Sequence, residues 1–242
     1  MKKKWKYTLI ILGVAVVTAY LVFVLFSFVN TNKTEFNGVS ITIKDREKIQ
    51  FVTEKDIEKI LICIDLEKTV AEKGGLEKIE TILQEKYRVI RKVECYKTAS
   101  GKLKIDVWQK RPLFRVMGVR NYYIDDMKEE IPLSNNFNPF VPIVTSDANK
   151  EFLTEKLFDF IIFLEKSSFW QSQITQIDVD KNKEITLVPR IGRHTILLGT
   201  VDNYEQKMKN LQGFYEKVLK EKGWNRYSKI NLQFENRIIC TK

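Results

Sequence analysis

The sequence predicts an α+β protein with a single transmembrane helix at its N-terminus. Three observations support this. An uncharged apolar run occupies residues 7–29, a β-α-α-β-β pattern fills residues 36–112, and short alternating strands dominate residues 113–242. Alternation of period two indicates half-buried strands, and a period near 3.6 indicates helices. We therefore expect a cytoplasmic tail (1–6), the helix (7–29), a linker (30–35), a small domain (36–112) and a larger mixed β domain with two flanking helices (113–242).

The N-terminal run determines the expected position of the rest of the chain. No charged residue lies between Tyr7 and Asn32, and four lysines precede the run. About 20 apolar residues are enough for a helix to cross a hydrocarbon core of about 30 Å. A cleaved signal peptide is the alternative, but its apolar region has roughly 7–15 residues and is followed by a small-residue cleavage site. The longer run predicts an uncleaved anchor, and the excess of lysines before it places the N-terminus in the cytoplasm.

The composition does not favour nucleic acid or metal as a ligand. The 242 residues carry a formal net charge of +10, of which four charges belong to the lysines before the anchor. The remaining charges are of mixed sign and follow no nucleic-acid-binding motif, although a basic face toward anionic lipid or wall polymer stays possible. The three cysteines, Cys63, Cys95 and Cys240, show no C-x-x-C spacing, and His194 is the one histidine in the sequence. We expect buried thiols and no metal or cofactor.

The periodicity of apolar residues predicts the strands and helices of the small domain. Residues Phe36–Ile43 alternate as a strand, and Thr53 with Asp56 has the form of a capping box that opens a helix. A second helix follows the break at 74–75. Residues Val89–Thr98 and Leu103–Trp108 flank a turn that contains glycine and predict a hairpin. The helical apolar positions are Ile57, Ile60, Leu61 and Ile64, then Leu76, Ile79, Ile82 and Leu83.

The large domain alternates strands with two helices. The first helix, Phe152–Phe163, is densely apolar; charges such as Glu155 and Asp159 argue against a second membrane span and favour burial against a sheet. The second helix, Tyr204–Lys222, carries one apolar stripe. Lys217 and Lys220 lie in its last turns, where cations favour the helix dipole. The expected strands are Phe114–Val119, Asn121–Asp125, Ile131–Ser134, Ile174–Val179, Glu184–Val188, His194–Leu198, Lys229–Phe234 and Arg237–Thr241.

Residues suited to catalysis are sparse. The sequence lacks G-x-S-x-G, S-x-x-K, H-E-x-x-H and a phosphate-binding loop. Asp125-Asp126 and Glu129-Glu130 offer carboxylate pairs for glycoside hydrolysis, but adjacent acids in a turn are expected to be a solvated tip. His194 is expected to be structural or exposed. The sequence therefore predicts a protein without enzymatic activity, with a wall hydrolase as the competing hypothesis.

Several short segments together resemble one family. QKRPLFRV (109–116), YYID (122–125), IPLS (131–134), VPIVT (141–145) and INLQF (230–234) follow in the order seen in the FtsQ/DivIB cell-division family. The β-α-α-β-β pattern just outside an anchor resembles that family's POTRA domain. In one respect the sequence departs from the family: the turn 125–130 lacks the glycine commonly found there.

The resemblance implies a bitopic division protein of the inner membrane, located at the septum, with its bulk outside the cytoplasm. Its role would be a scaffold that links early and late division proteins and regulates septal peptidoglycan synthesis through protein contacts. Partners would be FtsB-like and FtsL-like bitopic proteins, with further contacts through the POTRA-like domain. A POTRA protein of outer-membrane assembly or secretion is the other binding hypothesis, although such proteins usually carry several modules or a long barrel.

The expected partner site is the C-terminal strand with the preceding helix. A terminal strand leaves one edge unpaired, and a partner segment can add main-chain hydrogen bonds there. The alternative is an ordinary closing strand blunted by Arg237 and Lys242. Ile239→Pro is expected to remove a donor from the open edge. The family resemblance assigns Tyr204, Lys217, Lys220, Tyr227, Lys229, Arg237, Ile238, Ile239, Cys240 and Thr241 to the site.

Overall fold

A helix at residues 12–25, here α1, lies inside the apolar run predicted to cross the membrane. The computed structural model describes residues 12–25, 36–146, 150–234 and 237–242. The remainder of the predicted segment 7–29, the tail 1–6 and the linker 30–35 fall outside the described residues. Within the described ranges, no helix has both the length and the hydropathy required to cross a membrane.

The small domain is a three-stranded sheet with helices on one face. Its described residues form β1 (Val39–Ile43), α2 (Glu54–Leu61), α3 (Leu66–Ala71), α4 (Gly75–Lys86), β2 (Ile90–Lys97) and β3 (Leu103–Gln109). The strand order is β1-β3-β2, with β1 parallel to β3 and β2–β3 an antiparallel hairpin. The predicted pattern is confirmed except for α3. That helix of six residues is too short to show a period, and it begins where the Asp65 carboxylate accepts from the Lys68 N–H at 3.2 Å.

The capping residues predicted from the sequence start α2 as expected. The Asp56 carboxylate accepts hydrogen bonds from the Thr53 N–H at 3.0 Å and from its hydroxyl at 2.7 Å. These bonds satisfy a backbone donor that the first helical turn leaves unpaired. The apolar positions of the helices then pack on the central strand, and the residues with 0% exposure are Ile57, Ile79, Leu83, Leu103, Ile105 and Val107.

The large domain is built on a sheet of nine strands among the described residues, in the order β12-β11-β10-β9-β8-β7-β4-β5-β6. Its strands are β4 (Pro112–Met117), β5 (Tyr122–Asp125), β6 (Glu130–Pro132), β7 (Ile143–Ser146), β8 (Ile174–Val179), β9 (Ile185–Pro189), β10 (Thr195–Gly199), β11 (Lys229–Asn231) and β12 (Ile239–Thr241). The eight expected strands are found with most boundaries within a few residues, although the last two are shorter than predicted. Strand β7 was not among the expected strands.

Helices cover the core face of this sheet, as their apolar pattern predicted. The expected helix 152–163 is divided into α5 (Lys150–Thr154) and α6 (Lys156–Lys166), and a further short helix, α7 (Ser168–Gln173), follows it. The expected helix 204–222 consists of α8 (Tyr204–Phe214), a π-helical turn (Tyr215–Leu219) and α9 (Lys220–Lys222). The expectation of two simple helices was therefore too coarse, because short breaks do not change an apolar stripe enough to be seen in the sequence.

The two domains share part of one core. Tyr123 and Ile131 belong to the large sheet, yet they pack into the hydrophobic core of the small domain. The Phe51 ring centroid lies 6.0 Å from that of Tyr123 and 5.1 Å from that of Phe137. Strand β4 begins at Pro112 itself, where the lack of an N–H costs no interior ladder bond. The junction is therefore packed.

The cysteines differ in their surroundings. Cys95 is buried and Cys240 is partly buried, whereas Cys63 is exposed. The expectation that all three thiols are buried was wrong for Cys63. This residue follows the last turn of α2, where the apolar run that surrounds it leaves the core and even Ile62 is 83% exposed.

Candidate partner-binding site

Strand β12 occupies one end of the large sheet. It pairs antiparallel with β11 through Lys229↔Thr241, Ile230↔Cys240 and Asn231↔Ile239. No strand of the described residues pairs with its other side. An edge strand presents a row of unpaired backbone donors and acceptors to any extended segment that approaches it.

The direction of these donors follows from the ladder on the inner side. The Leu232 N–H donates to the Leu197 carbonyl at 2.8 Å, and the Thr195 N–H donates to the Ser228 carbonyl at 3.0 Å. These two bonds flank β11 on its β10 side, so the backbone groups of Ile230 also face β10. The backbone groups of Lys229 and Asn231 then face β12, because successive residues of a strand alternate. It follows that Ile239 and Thr241 bond inward. The Thr241 carbonyl also accepts from the Ser228 N–H at 2.8 Å; Ser228 lies just before β11 and bonds to both neighbouring strands, so the alternation holds from Lys229 onward.

Cys240 therefore carries the outward-facing backbone groups of β12. Its N–H and C=O point to the open edge, because successive residues of a strand alternate in direction. The expectation that Ile239→Pro removes an edge donor was wrong. That substitution would remove a donor from the β11–β12 ladder, since the direction depends on the register, which the sequence did not show.

The side chains of the terminal segment divide between core and solvent. Ile238 and Cys240 pack against the large hydrophobic core, and burial raises the pKa of the Cys240 thiol. Ile239 is 45% exposed, and Arg237 and Thr241 are exposed as well. The terminal segment is thus held by its inner face while its backbone edge and outer face stay accessible.

The other predicted site residues lie at different places. Lys217 and Lys220 are exposed near the end of the helix, and Lys229 is exposed directly opposite Thr241. Tyr227 is partly buried, with its ring centroid 5.9 Å from that of Phe214. The role of these residues in binding stays a prediction.

Tyr204 is the member of the set that the fold separates from the rest. Its ring lies 5.3 Å from Phe160 and 5.2 Å from Phe163, so it joins α8 to α6. Lys217 follows 13 positions later along the helix, about 20 Å away at 1.5 Å per residue. The ring of Tyr204 thus serves packing in this structure.

Sequence reasoning missed the buried cluster that supports the site. His194 is 2% exposed, and its Nε2 lies 2.8 Å from the hydroxyl of Tyr215, the first residue of the π-helical turn. Its Nδ1 lies 3.3 Å from the Trp224 carbonyl oxygen, in the loop that leads to β11. Burial lowers the pKa of His194 and raises that of Tyr215. The sequence predicted that His194 is either structural or exposed, and its burial shows that it is structural.

The glycine at position 192 is a feature of the sequence that could have indicated this buried cluster. Its φ is +95°, and a Cβ at this position would lie 2.6 Å from the His194 Nδ1. A residue without a side chain is required there because the ring and the Trp224 carbonyl approach the backbone closely.

The acidic turn 125–130 also differs from expectation. Asp125 is 1% exposed, and its Oδ1 accepts from the N–H groups of Met127 at 2.9 Å and Glu129 at 2.7 Å. Lys128 adopts a φ of +66°, the conformation for which a glycine was expected. Burial raises the pKa of Asp125 despite those two bonds. The prediction of a solvated tip was wrong for Asp125, since turn residues reveal nothing of the domain packed beside them.

The neighbouring carboxylate ties the two domains together. Asp126 pairs with Arg91 of the small domain, and its Oδ2 lies 3.1 Å from the Arg111 Nε. Burial opposes ionisation of Asp126, but the hydrogen bonds from both arginines prevail and lower its pKa. Arg111 also forms two bonds to the Glu165 carboxylate, at 2.6 and 3.3 Å. The carboxylates of Asp126 and Glu165 thus form structural ion pairs.

No group of three or more His, Cys, Asp or Glu side chains suited to a metal ion occurs in the part of the chain that the structure describes. The C-terminal edge instead offers main-chain hydrogen bonds, which are suited to contact with another polypeptide.

Comparison with known proteins agrees with the two-domain organisation. The family model described as FtsQ/DivIB, C-terminal related, matches residues 111–241. The model of the POTRA-like domain matches residues 35–108. No curated protein matches the sequence. Because the first model spans more than half of the chain, the protein belongs to the FtsQ/DivIB family of cell-division proteins.

Proposed function

We propose that this protein is a non-enzymatic, bitopic scaffold of the bacterial divisome. It is anchored in the inner membrane by residues 7–29, with its two folded domains outside the cytoplasm at the division septum. There it links early and late division proteins and regulates septal peptidoglycan synthesis through protein contacts. Family membership, the uncharged N-terminal run and the preceding lysines support this proposal.

The observation that carries the proposal is the open backbone edge at Cys240. FtsB-like and FtsL-like bitopic proteins are the proposed partners, and a segment of such a partner extends the large sheet beyond β12. Lys229 is exposed directly opposite Thr241, Arg237 is exposed just before β12, and Lys217 and Lys220 are exposed on the preceding helix. They favour an acidic segment and speed its encounter more than they increase the affinity.

The test is a matched pair of substitutions at Cys240. Cys240→Pro removes the outward N–H while the inward bonds of Ile239 and Thr241 remain. One lost hydrogen bond costs about 0.5–1.5 kcal/mol, and the proline ring obstructs the incoming strand, so we expect affinity to fall at least roughly tenfold. Cys240→Val keeps the N–H and should retain binding. Affinity for the FtsB-like partner can be measured by titration calorimetry with the full chain in detergent micelles.

Unchanged affinity in a folded Cys240→Pro protein would place the contact elsewhere. A fluorescent fusion at the N-terminus tests the cellular role separately. It should form a band at mid-cell, whereas a uniform envelope signal would contradict a divisome function.

A further inference from the structure

A groove of about 960 Å³ lies where the two domains meet. The small domain contributes Asp45, Lys48 and Trp108 to its wall, and the large domain contributes Arg115, Trp170 and Arg190 among others. Aromatic, aliphatic and proline side chains make up much of this wall. A concave apolar surface with a few charged groups is the usual form of a binding site.

The carboxylates of the groove are already engaged. Asp45 accepts two hydrogen bonds from Gln109, from its N–H at 2.9 Å and from its Nε2 at 3.1 Å. Asp126 and Glu165 are held by Arg111, as described above. None of these carboxylates forms an ion pair with Lys48, Arg115 or Arg190 in the part of the chain that the structure describes.

Three cations of the wall have no carboxylate partner among the residues the structure describes: Lys48, Arg115 and Arg190. The Arg190 guanidinium lies over the Phe140 ring, 4.6 Å from its centroid, and Phe140 is 82% exposed. The Nε of Arg115 is buried without a hydrogen-bond partner in the described residues. A buried donor without a partner is unfavourable, and an acceptor that reaches this N–H would relieve that cost.

We infer that this groove binds an extended polypeptide segment of a protein partner, largely apolar and carrying a carboxylate that pairs with Arg115 and Arg190. The planar guanidinium matches a carboxylate in two-point geometry, and apolar side chains beside it would fill the aromatic wall. A phosphate polymer carries charge on every repeat and offers little apolar surface for that wall. The site lies apart from the β12 edge and is independent of the proposed contact there.

A pair of peptides tests this inference on the full chain in detergent micelles. The probe is a fluorescent, capped pentapeptide of sequence Leu-Glu-Phe-Glu-Leu, and its control replaces both glutamates by glutamine. By fluorescence anisotropy, we expect the acidic peptide to bind at least roughly tenfold more tightly. Equal binding of the two peptides, or no binding of either, would overturn the inference.

Substitutions locate the site. Arg115→Met and Arg190→Met should each weaken the acidic peptide several-fold to tenfold, while Arg88→Met removes the same charge from an exposed position outside the groove and should change nothing. The Arg115 guanidinium also lies over the Tyr123 ring, 6.0 Å from its centroid, so a thermal melt checks that Arg115→Met keeps its fold. Arg190 is exposed, so its variant tests the site even if Arg115→Met fails to fold.

Two further outcomes distinguish the sources of binding. Displacement of the peptide by polyphosphate at equal charge concentration would indicate a phosphate-binding groove and overturn the assignment to a polypeptide. Cys240→Pro should leave peptide binding unchanged, so failure of the groove and failure of the β12 edge give different results.

Discussion

Removal of one aromatic ring from the large sheet should destabilise the small domain. Tyr123 lies on β5, is 2% exposed and packs with Phe51 in the core of the small domain. Its hydroxyl donates to the Asn138 Oδ1 at 2.8 Å. Replacing a buried aromatic residue by alanine typically costs about 3–5 kcal/mol. Tyr123→Ala should therefore lower the melting temperature by roughly 10 °C, at about 2–4 °C per kcal/mol for a domain of this size.

The assay is hydrogen exchange of the full chain, read by mass spectrometry. Amides of β3 in the small domain should lose protection in Tyr123→Ala, although the substituted residue lies on the other sheet. Tyr122→Ala is the matched control, because its ring packs against the core of the large domain. Unchanged exchange of β3 in a Tyr123→Ala protein that melts earlier would refute the shared core. For the same reason we expect residues 36–112 to be less stable as an isolated fragment than in the full chain, since Tyr123, Ile131 and Phe137 complete that core.

Two further predictions concern buried polar groups. Burial lowers the pKa of His194 below its ordinary 6.5, so the unfolded chain binds a proton first as the pH falls. The free energy of unfolding should then be insensitive to this group above about pH 7 and decrease as the pH drops below 6.5, whereas His194→Gln should flatten that decrease in denaturant titrations. Gln109→Leu should cost about 2–4 kcal/mol in the same titrations, because it leaves the Val52 N–H and the Ile49 carbonyl unpaired and removes a bond to Asp45. An unchanged midpoint for Gln109→Leu would show that the loop 45–52 does not depend on this amide.

Local chemistry in the sequence determined most elements. The alternation in 39–43, the capping residues Thr53 and Asp56, and the glycine-containing turn at 99–101 each act within a few residues, so they were predicted correctly. The resemblance of short segments likewise identified the family, because their order along the chain is itself a sequence property. The helix α3 and the π-helical turn were missed because elements of five or six residues show no clear period.

Tertiary structure decided the features on which function depends. The direction of the Cys240 N–H follows from the register of three neighbouring strands, and a shift of one residue would reverse it. His194 becomes structural because Tyr215 meets it from 21 positions away, and Asp125 is buried because the small domain packs beside its turn. Among the described residues the Arg115 Nε has no hydrogen-bond partner, and this depends on the groove wall that residues from 45 to 190 form together. These are contacts between distant segments, and a local pattern of residue types carries no information about which distant segment it will meet.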